Sequence, residues 1–373
     1  MASSSEERSP QLLGGILKDF RDSYHLSQEE LAADLHVDVR TLRRWENGET
    51  ILSDVNELQR LADRLHIESE RLGVLSTLYA PEKPEHVDEV VSSVWELVSQ
   101  ARNTEAKLNI ERLVREARNQ RLTDNPAFLR PLAHAYHSAG YIVAMSTRTN
   151  EVSQAIYYFE EMERLARQLG DDTLLDIALT YHGDMLRRRG DVEKAIDYLK
   201  AAADLKRADA AARGNGIQLL ARACLRAQDV RSFENYMAEA TDLVLSLDPN
   251  QPASTYGQYN LGTVYEEYGK SYGILGNNHK ALDYLDKAEE ALPRIKFWKI
   301  LLMIARSEIL IRSADLDNGL PLAVEAARWC RMYGQYRRLE RIYALKRWLN
   351  QHIRRFAKAE MALGEVLEGP IED

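Results

Sequence analysis

The chain has 373 residues, 45% hydrophobic and 29% charged, with 49 Lys and Arg against 58 Asp and Glu and a formal net charge of −9. Such a chain is folded and too long for one small core, and no apolar run approaches the roughly 18 residues needed to cross a bilayer. Its two cysteines, Cys224 and Cys330, lie in apolar helical settings without metal-ligand spacing, which excludes a disulfide framework and reads as buried thiols in a cytosolic protein.

Residues 1–11 form a polar arm with neither the basic nor the apolar region of a signal peptide. From Leu12 to Leu75 the pattern predicts a compact five-helix head. Leu12 to Tyr24 reads as its first helix. Ser27 caps the second, with Glu30 three residues on to complete a capping box. His36 and Val37 make a tight turn, and Asp38 is a good N-cap for the third helix. Leu31, Leu35, Val37, Leu42 and Trp45 supply apolar contacts between the two helices, leaving Val39, Arg40, Arg43, Arg44 and Asn47 on the exposed face. Ser53 to Leu65 reads as the following helix.

A helix fits the major groove, and Arg pairs bidentately with guanine O6 and N7, for roughly 1–3 kcal/mol of base discrimination per pair. Val39 offers apolar contact only, for instance to a thymine methyl. Residues 1–79 nevertheless carry nine Lys and Arg against fifteen Asp and Glu, a balance of −6, with Glu49 just past the helix. Phosphate neutralisation supplies most non-specific affinity, so one acidic head should bind weakly. Two heads on one duplex would multiply their affinities, and a homodimer on a two-fold site is expected.

The Ser27-Gln28-x-Glu30-Leu31-Ala32 start, the turn, Leu42 and the Trp45-Glu46-Asn47-Gly48 ending resemble the XRE or Cro-type (lambda-repressor-like) helix-turn-helix family. The resemblance implies that Gln28 meets the DNA backbone, that Val39, Arg40 and Arg44 face base edges, and that Asn47 touches phosphate.

Residues 76–84 form a linker containing Pro81 and Pro84. Residues 85–122 then show helical spacing of Val87, Val90, Val91, Val94, Leu97 and Val98 and of Leu108, Leu113 and Ala117, as a connector pair or a first repeat. Over 123–367 the chain aligns on itself. One unit runs Tyr265-x-x-Tyr268-Gly269-x-x-Tyr272, then Ala281, Leu285, Ala288 and Pro293. A second has Gly183, Leu186, Gly190-Asp191, Ala195, Leu199 and Ala202. Both fit the tetratricopeptide (TPR) pattern, and weaker copies align their equivalent slots at 155, 233 and 319. Asn125-Pro126 and the Pro249/Pro252 stretch break helices between units. The fold class expected is all-α, a helix-turn-helix head on a right-handed solenoid of TPR-like pairs, with the helices from Tyr336 to Leu367 capping it through polar faces and 368–373 as a tail.

Stacked pairs curl into a superhelix whose concave wall comes from the first helix of each pair. One wall slot reads Arg148, Arg188, Arg226, Ile274 and Arg312. Neighbouring slots add Asp184, Arg187, Asn215, Gln218, Arg222, Glu266 and Lys270. The groove is therefore expected to be locally basic and suited to an extended ligand bearing carboxylates.

Head and array together resemble the RRNPP peptide-pheromone receptor regulators. That resemblance implies a dimeric transcription regulator in which a peptide or small effector in the TPR groove alters the spacing of two DNA-bound heads. Walker-type phosphate loops, H-E-x-x-H and G-x-S-x-G are absent. The nine histidines are scattered, with His134 and His137 sharing one helical face, so no enzyme, metal site or cofactor is expected. The alternative is a scaffold whose array holds a partner protein and whose head is an interaction module.

Overall fold

The structure is a computed structural model that describes residues 13–50, 52, 55–65, 67, 69–72, 81–147, 152–248, 254–255 and 258–368. Among these, the head comprises α1 (Leu13–Ser23), α2 (Gln28–Leu35), α3 (Val39–Glu46), α4 (Val55–Arg64) and a 3-10 turn at Ser69–Leu72. Of the fifth helix of the expected head, the described residues contain this single turn. Leu17, Leu31, Leu42, Leu58 and Leu61 make its core.

Six helix pairs follow: α5 (Pro84–Ser99) with α6 (Asn103–Asn119), α7 (Leu129–Ser146) with α8 (Ser153–Leu169), α9 (Asp172–Arg189) with α10 (Val192–Ala203), α11 (Ala210–Arg226) with α12 (Val230–Leu245), α13 (Leu261–Ile274) with α14 (Asn278–Ala291), and α15 (Lys296–Arg312) with α16 (Leu316–Met332). Pro126 opens a 3-10 turn, with the Asn125 side chain accepting from the Ala127 N–H, so α7 starts only at Leu129. The widest repeat step falls where α12 and α13 are separated by residues 246–260, much of which lies outside the described residues.

Small residues let the paired helices approach. A Cβ on Gly183 would lie 2.8 Å from Leu199 Cγ, and one on Gly269 2.7 Å from Leu285 Cδ2. The freed space is filled by aromatics such as Phe159, stacked on Tyr181 with centroids 5.5 Å apart. Cys224 and Cys330 are buried free thiols. His137 is buried between Trp95 and Tyr181, and burial lowers its pKa to about 3, so it packs as a neutral ring.

The C-terminal segment departs from the expected polar cap. It is one 33-residue helix, α17 (Tyr336–Glu368), and its first turns contact α7, α15 and α16. Its start ties the last pair to the first: Gln335 Nε2 donates to the Ala101 carbonyl at 3.3 Å, and Arg338 Nη1 to the Phe297 carbonyl at 2.8 Å. A polar cap would need only solvated charges, whereas here Arg338 is 3% exposed. The wall helices α7, α9, α11, α13 and α15 thus surround a lumen crossed by α17. Its far end stays exposed, with Ile353, Phe356, Leu363 and Leu367 open to solvent.

Candidate nucleic-acid interface and array lumen

The helix-turn-helix is fixed by short polar contacts. Glu30 N–H donates to Ser27 Oγ at 3.2 Å and Ser27 N–H to Glu30 Oε2 at 2.7 Å, which completes the capping box. His36 takes the left-handed conformation (φ 54°) that ends α2, and Arg40 N–H donates to Asp38 Oδ1 at 2.7 Å at the start of α3. Glu46, on the inner face of α3, is buried. Arg21 Nε donates to its Oε1 at 3.1 Å and Gln28 Nε2 to its Oε2 at 2.6 Å. Arg43 Nε in turn donates to Gln28 Oε1 at 2.8 Å, and Arg43 pairs with Glu29 at 3.1 Å.

This chain of contacts divides the sequence-selected residues. Gln28 and Arg43 are engaged within the head, where they hold α2 against α3. Val39 is half-buried against the head core. Arg40 and Arg44 are exposed, with no ion pair among the described residues, and Asn47 is exposed, its Nδ2 3.4 Å from Glu49 Oε1. Two unneutralised guanidiniums therefore share the outer face of α3. Sequence reasoning gave Glu46 no role; a carboxylate next to a buried Trp45 on an amphipathic helix was the available signal.

In the array, α9 contributes Asp184, Arg187 and Arg188, α11 Asn215, Gln218, Arg222 and Arg226, α13 Glu266, Lys270 and Ile274, and α15 Arg312. All of these line two adjoining cavities of about 150 and 500 Å³. Arg148 lies outside the described residues. Arg226 and Arg312 sit at the exposed rim, with Arg312 over the Trp348 ring at 5.9 Å. The inner cations are already partly neutralised. Asp184 lies 2.5 Å from both Arg187 Nη2 and Arg188 Nη2, Arg222 pairs with Glu267, and Lys270 pairs with Glu266 at 2.7 Å and Glu267 at 2.9 Å. Burial alone would raise the Asp184 carboxyl, but Arg187, Arg188 and Arg222 hold it well below the usual range.

The residues that sequence reasoning missed come from α17. Arg337, Arg338 and Arg341 enter the lumen, so the groove expected for an extended ligand is narrowed by α17 to two adjoining cavities. Arg341 is held by Glu308 at 2.6 Å. Arg338 stacks on Phe297 at 4.0 Å and donates to Gln335. Arg337 makes only a long contact, Nη1 to Met145 Sδ at 3.6 Å, and has no carboxylate partner among the described residues. Burial, with Arg188 close by, pushes its pKa well below the usual arginine range. Burial likewise brings Arg188 down to about 10 despite Asp184. Nine cations, two of them at the rim, thus face four carboxylates, and Arg188 Nε, Arg338 Nε, Gln218 Oε1 and Glu266 Oε1 are buried without hydrogen-bond partners. A buried polar group without a partner costs about 1–3 kcal/mol, so this lumen is built at the expense of stability.

Residues 17–72 match the helix-turn-helix family model, and residues 172–206 and 255–291 match the Sel1 repeat. The chain thus carries a helix-turn-helix segment at its N-terminal end and two Sel1-repeat segments within its helical array. No curated protein sequence matches it significantly. Among solved structures it is similar to PlcR of Bacillus thuringiensis in complex with the peptide PapR7 and DNA, at 17% identity over 82% of this chain and 99% of that one, TM-score 0.40. It is also similar to apo ComR, a competence regulator of Streptococcus vestibularis (16%, 82% and 98%, TM-score 0.37), and to pilF of Pseudomonas aeruginosa (14%, 68% and 96%, TM-score 0.36).

Proposed function

We propose that this protein is a cytoplasmic, sequence-specific DNA-binding regulator that works as a homodimer and whose array senses an anionic effector. The observation that carries the reading is the free pair Arg40 and Arg44 on the outer face of α3, beside a Gln28–Arg43–Glu46 network that keeps the helix seated. Arg40 and Arg44 read base edges with Val39, Asn47 meets phosphate, and Gln28 and Arg43 position the helix.

In the array, Arg337 is the group to which an effector carboxylate adds a bidentate pair. Arg188, Asn215 and Gln218 then complete its hydrogen bonds. The two cavities favour a small molecule or a short peptide end over a long extended peptide. An effector that prefers one position of α17 would shift the population of dimers able to span two half-sites.

The test is selection of binding sites from random duplexes with the wild-type protein and with Arg40→Ala/Arg44→Ala in parallel. Enrichment of an inverted repeat by the wild type alone supports the reading. Equal enrichment by both, or by neither, overturns it in favour of the scaffold alternative.

A further inference from the structure

A third cavity, of about 420 Å³, lies between head and array, away from Arg40, Arg44 and the lumen, with Asn47 at the end of α3 in its wall. We propose that it is a second ligand site, for a compact molecule with an aromatic or alicyclic body and one anionic group. Its size is that of a small-molecule pocket. Trp45, Leu58 and Leu72 of the head face Leu108 of α6 and Met332 of α16 across it, so its walls are largely apolar. Leu108 is the array residue that enters the head's own core cluster, and the cavity opens beside this anchor.

The polar groups in the wall decide the chemistry of the occupant. Its two carboxylates are already engaged: Glu46 receives Arg21 and Gln28, and Glu105 receives Arg102. The remaining polar side chains include four arginines, Arg71, Arg102, Arg328 and Arg331, and no further carboxylate. Arg102 Nε and Thr50 Oγ1 are buried and have no hydrogen-bond partner. Arg328 and Arg331, three residues apart on one face of α16, have no carboxylate partner among the described residues. A wall that offers apolar surface and leftover donors selects an anion with an apolar body.

The position gives the site a consequence. Gly14 of α1 packs so closely on the end of α3 that a Cβ there would lie 2.6 Å from the Trp45 carbonyl oxygen. The next residue, Gly15, faces the cavity with nothing within 4 Å of its Cβ position. A ligand seated there touches both the support of the DNA-facing helix and α16 of the array, so it fixes the head against the array.

The experiment titrates the full-length protein with 8-anilinonaphthalene-1-sulfonate and with its uncharged counterpart N-phenyl-1-naphthylamine, following fluorescence and stoichiometry. Two variants accompany the wild type: Gly15→Phe, which fills the cavity from a helical position with free space, and Arg328→Ala/Arg331→Ala, which removes exposed charge only. The expected result is one sulfonate probe bound per chain, weakened about tenfold or more by Gly15→Phe. The arginine pair variant should weaken the sulfonate by about tenfold and leave the uncharged probe unchanged. Sulfonate binding that is absent in the wild type, or unaltered in Gly15→Phe, overturns the site. Should Gly15→Phe lose its helical circular dichroism, the arginine variant decides alone: equal sulfonate affinity to wild type overturns the proposal.

Discussion

Asp184→Asn is the perturbation that tests the electrostatics of the lumen most sharply. The carboxylate is 1% exposed and lies 2.5 Å from Arg187 and Arg188 and 3.9 Å from Arg222. Its removal leaves three guanidiniums near Arg337 with Glu267 as the nearest remaining counter-charge to Arg222. Breaking a buried pair costs about 3–5 kcal/mol because the other charge stays buried. The Arg187 side chain is 15% exposed and can turn towards water, and Asn keeps one acceptor, so the lower end applies, about 3 kcal/mol. Urea denaturation at pH 7 should show that loss as a shift in midpoint with an unchanged slope. The double variant Asp184→Asn/Arg188→Met should recover at least about 1 kcal/mol, since the two residues are directly coupled. The carboxyl's folded pKa is depressed. Its contribution is therefore complete above the unfolded value near pH 4 and disappears as pH falls through the folded value. A loss under about 1 kcal/mol, or no recovery in the double variant, would refute this account of the lumen.

Asp176 carries the opposite sign. Burial pushes its carboxyl up to about 7, Thr180 Oγ1 donates to its Oδ1 at 3.3 Å, and its Oδ2 has no hydrogen-bond partner. The protein should lose stability as pH rises from about 4 to 7 through this group. Asp176→Asn should remove that slope and gain roughly 2–4 kcal/mol at pH 7 to 8, read by thermal melts across pH. Gly269→Val should cost about 1–3 kcal/mol, because its side chain meets Leu285 and the Ala281 carbonyl oxygen, 3.1 Å from the Cβ position. Arg337→Met should stabilise the protein by about 1–4 kcal/mol while abolishing the effector response; a destabilised, still responsive variant would contradict its role.

The head was legible in the sequence because its determinants are local. Ser27, Glu30, Asp38 and the Leu31/Leu42/Trp45 pattern act within a few residues of themselves, and they form the cap, turn and core that their chemistry requires. The wall slots were legible because each repeat places the same position on the same side, so Arg188, Arg222 and Lys270 could be assigned without coordinates. The roles of these side chains were less accessible, since they depend on pairs between separate helices, such as Arg222 with Glu267 across 45 residues. Arg337 and Arg341 were read as part of a solvated cap because one helix's pattern does not reveal that the array wraps round to meet it. The cavity between head and array has no sequence signature at all; it arises where two bodies meet through Leu108.

The most direct test of the central claim is an anisotropy titration of labelled duplexes from the final selection round with wild type and Arg40→Ala/Arg44→Ala. A homodimer that reads DNA through α3 predicts two chains per duplex and affinity that falls steeply with salt. It also predicts a loss of about 1–3 kcal/mol for each Arg–base contact removed, which makes the double variant at least tenfold weaker. Equal affinity of the two proteins would contradict it, because α3 would then not be the surface that reads DNA.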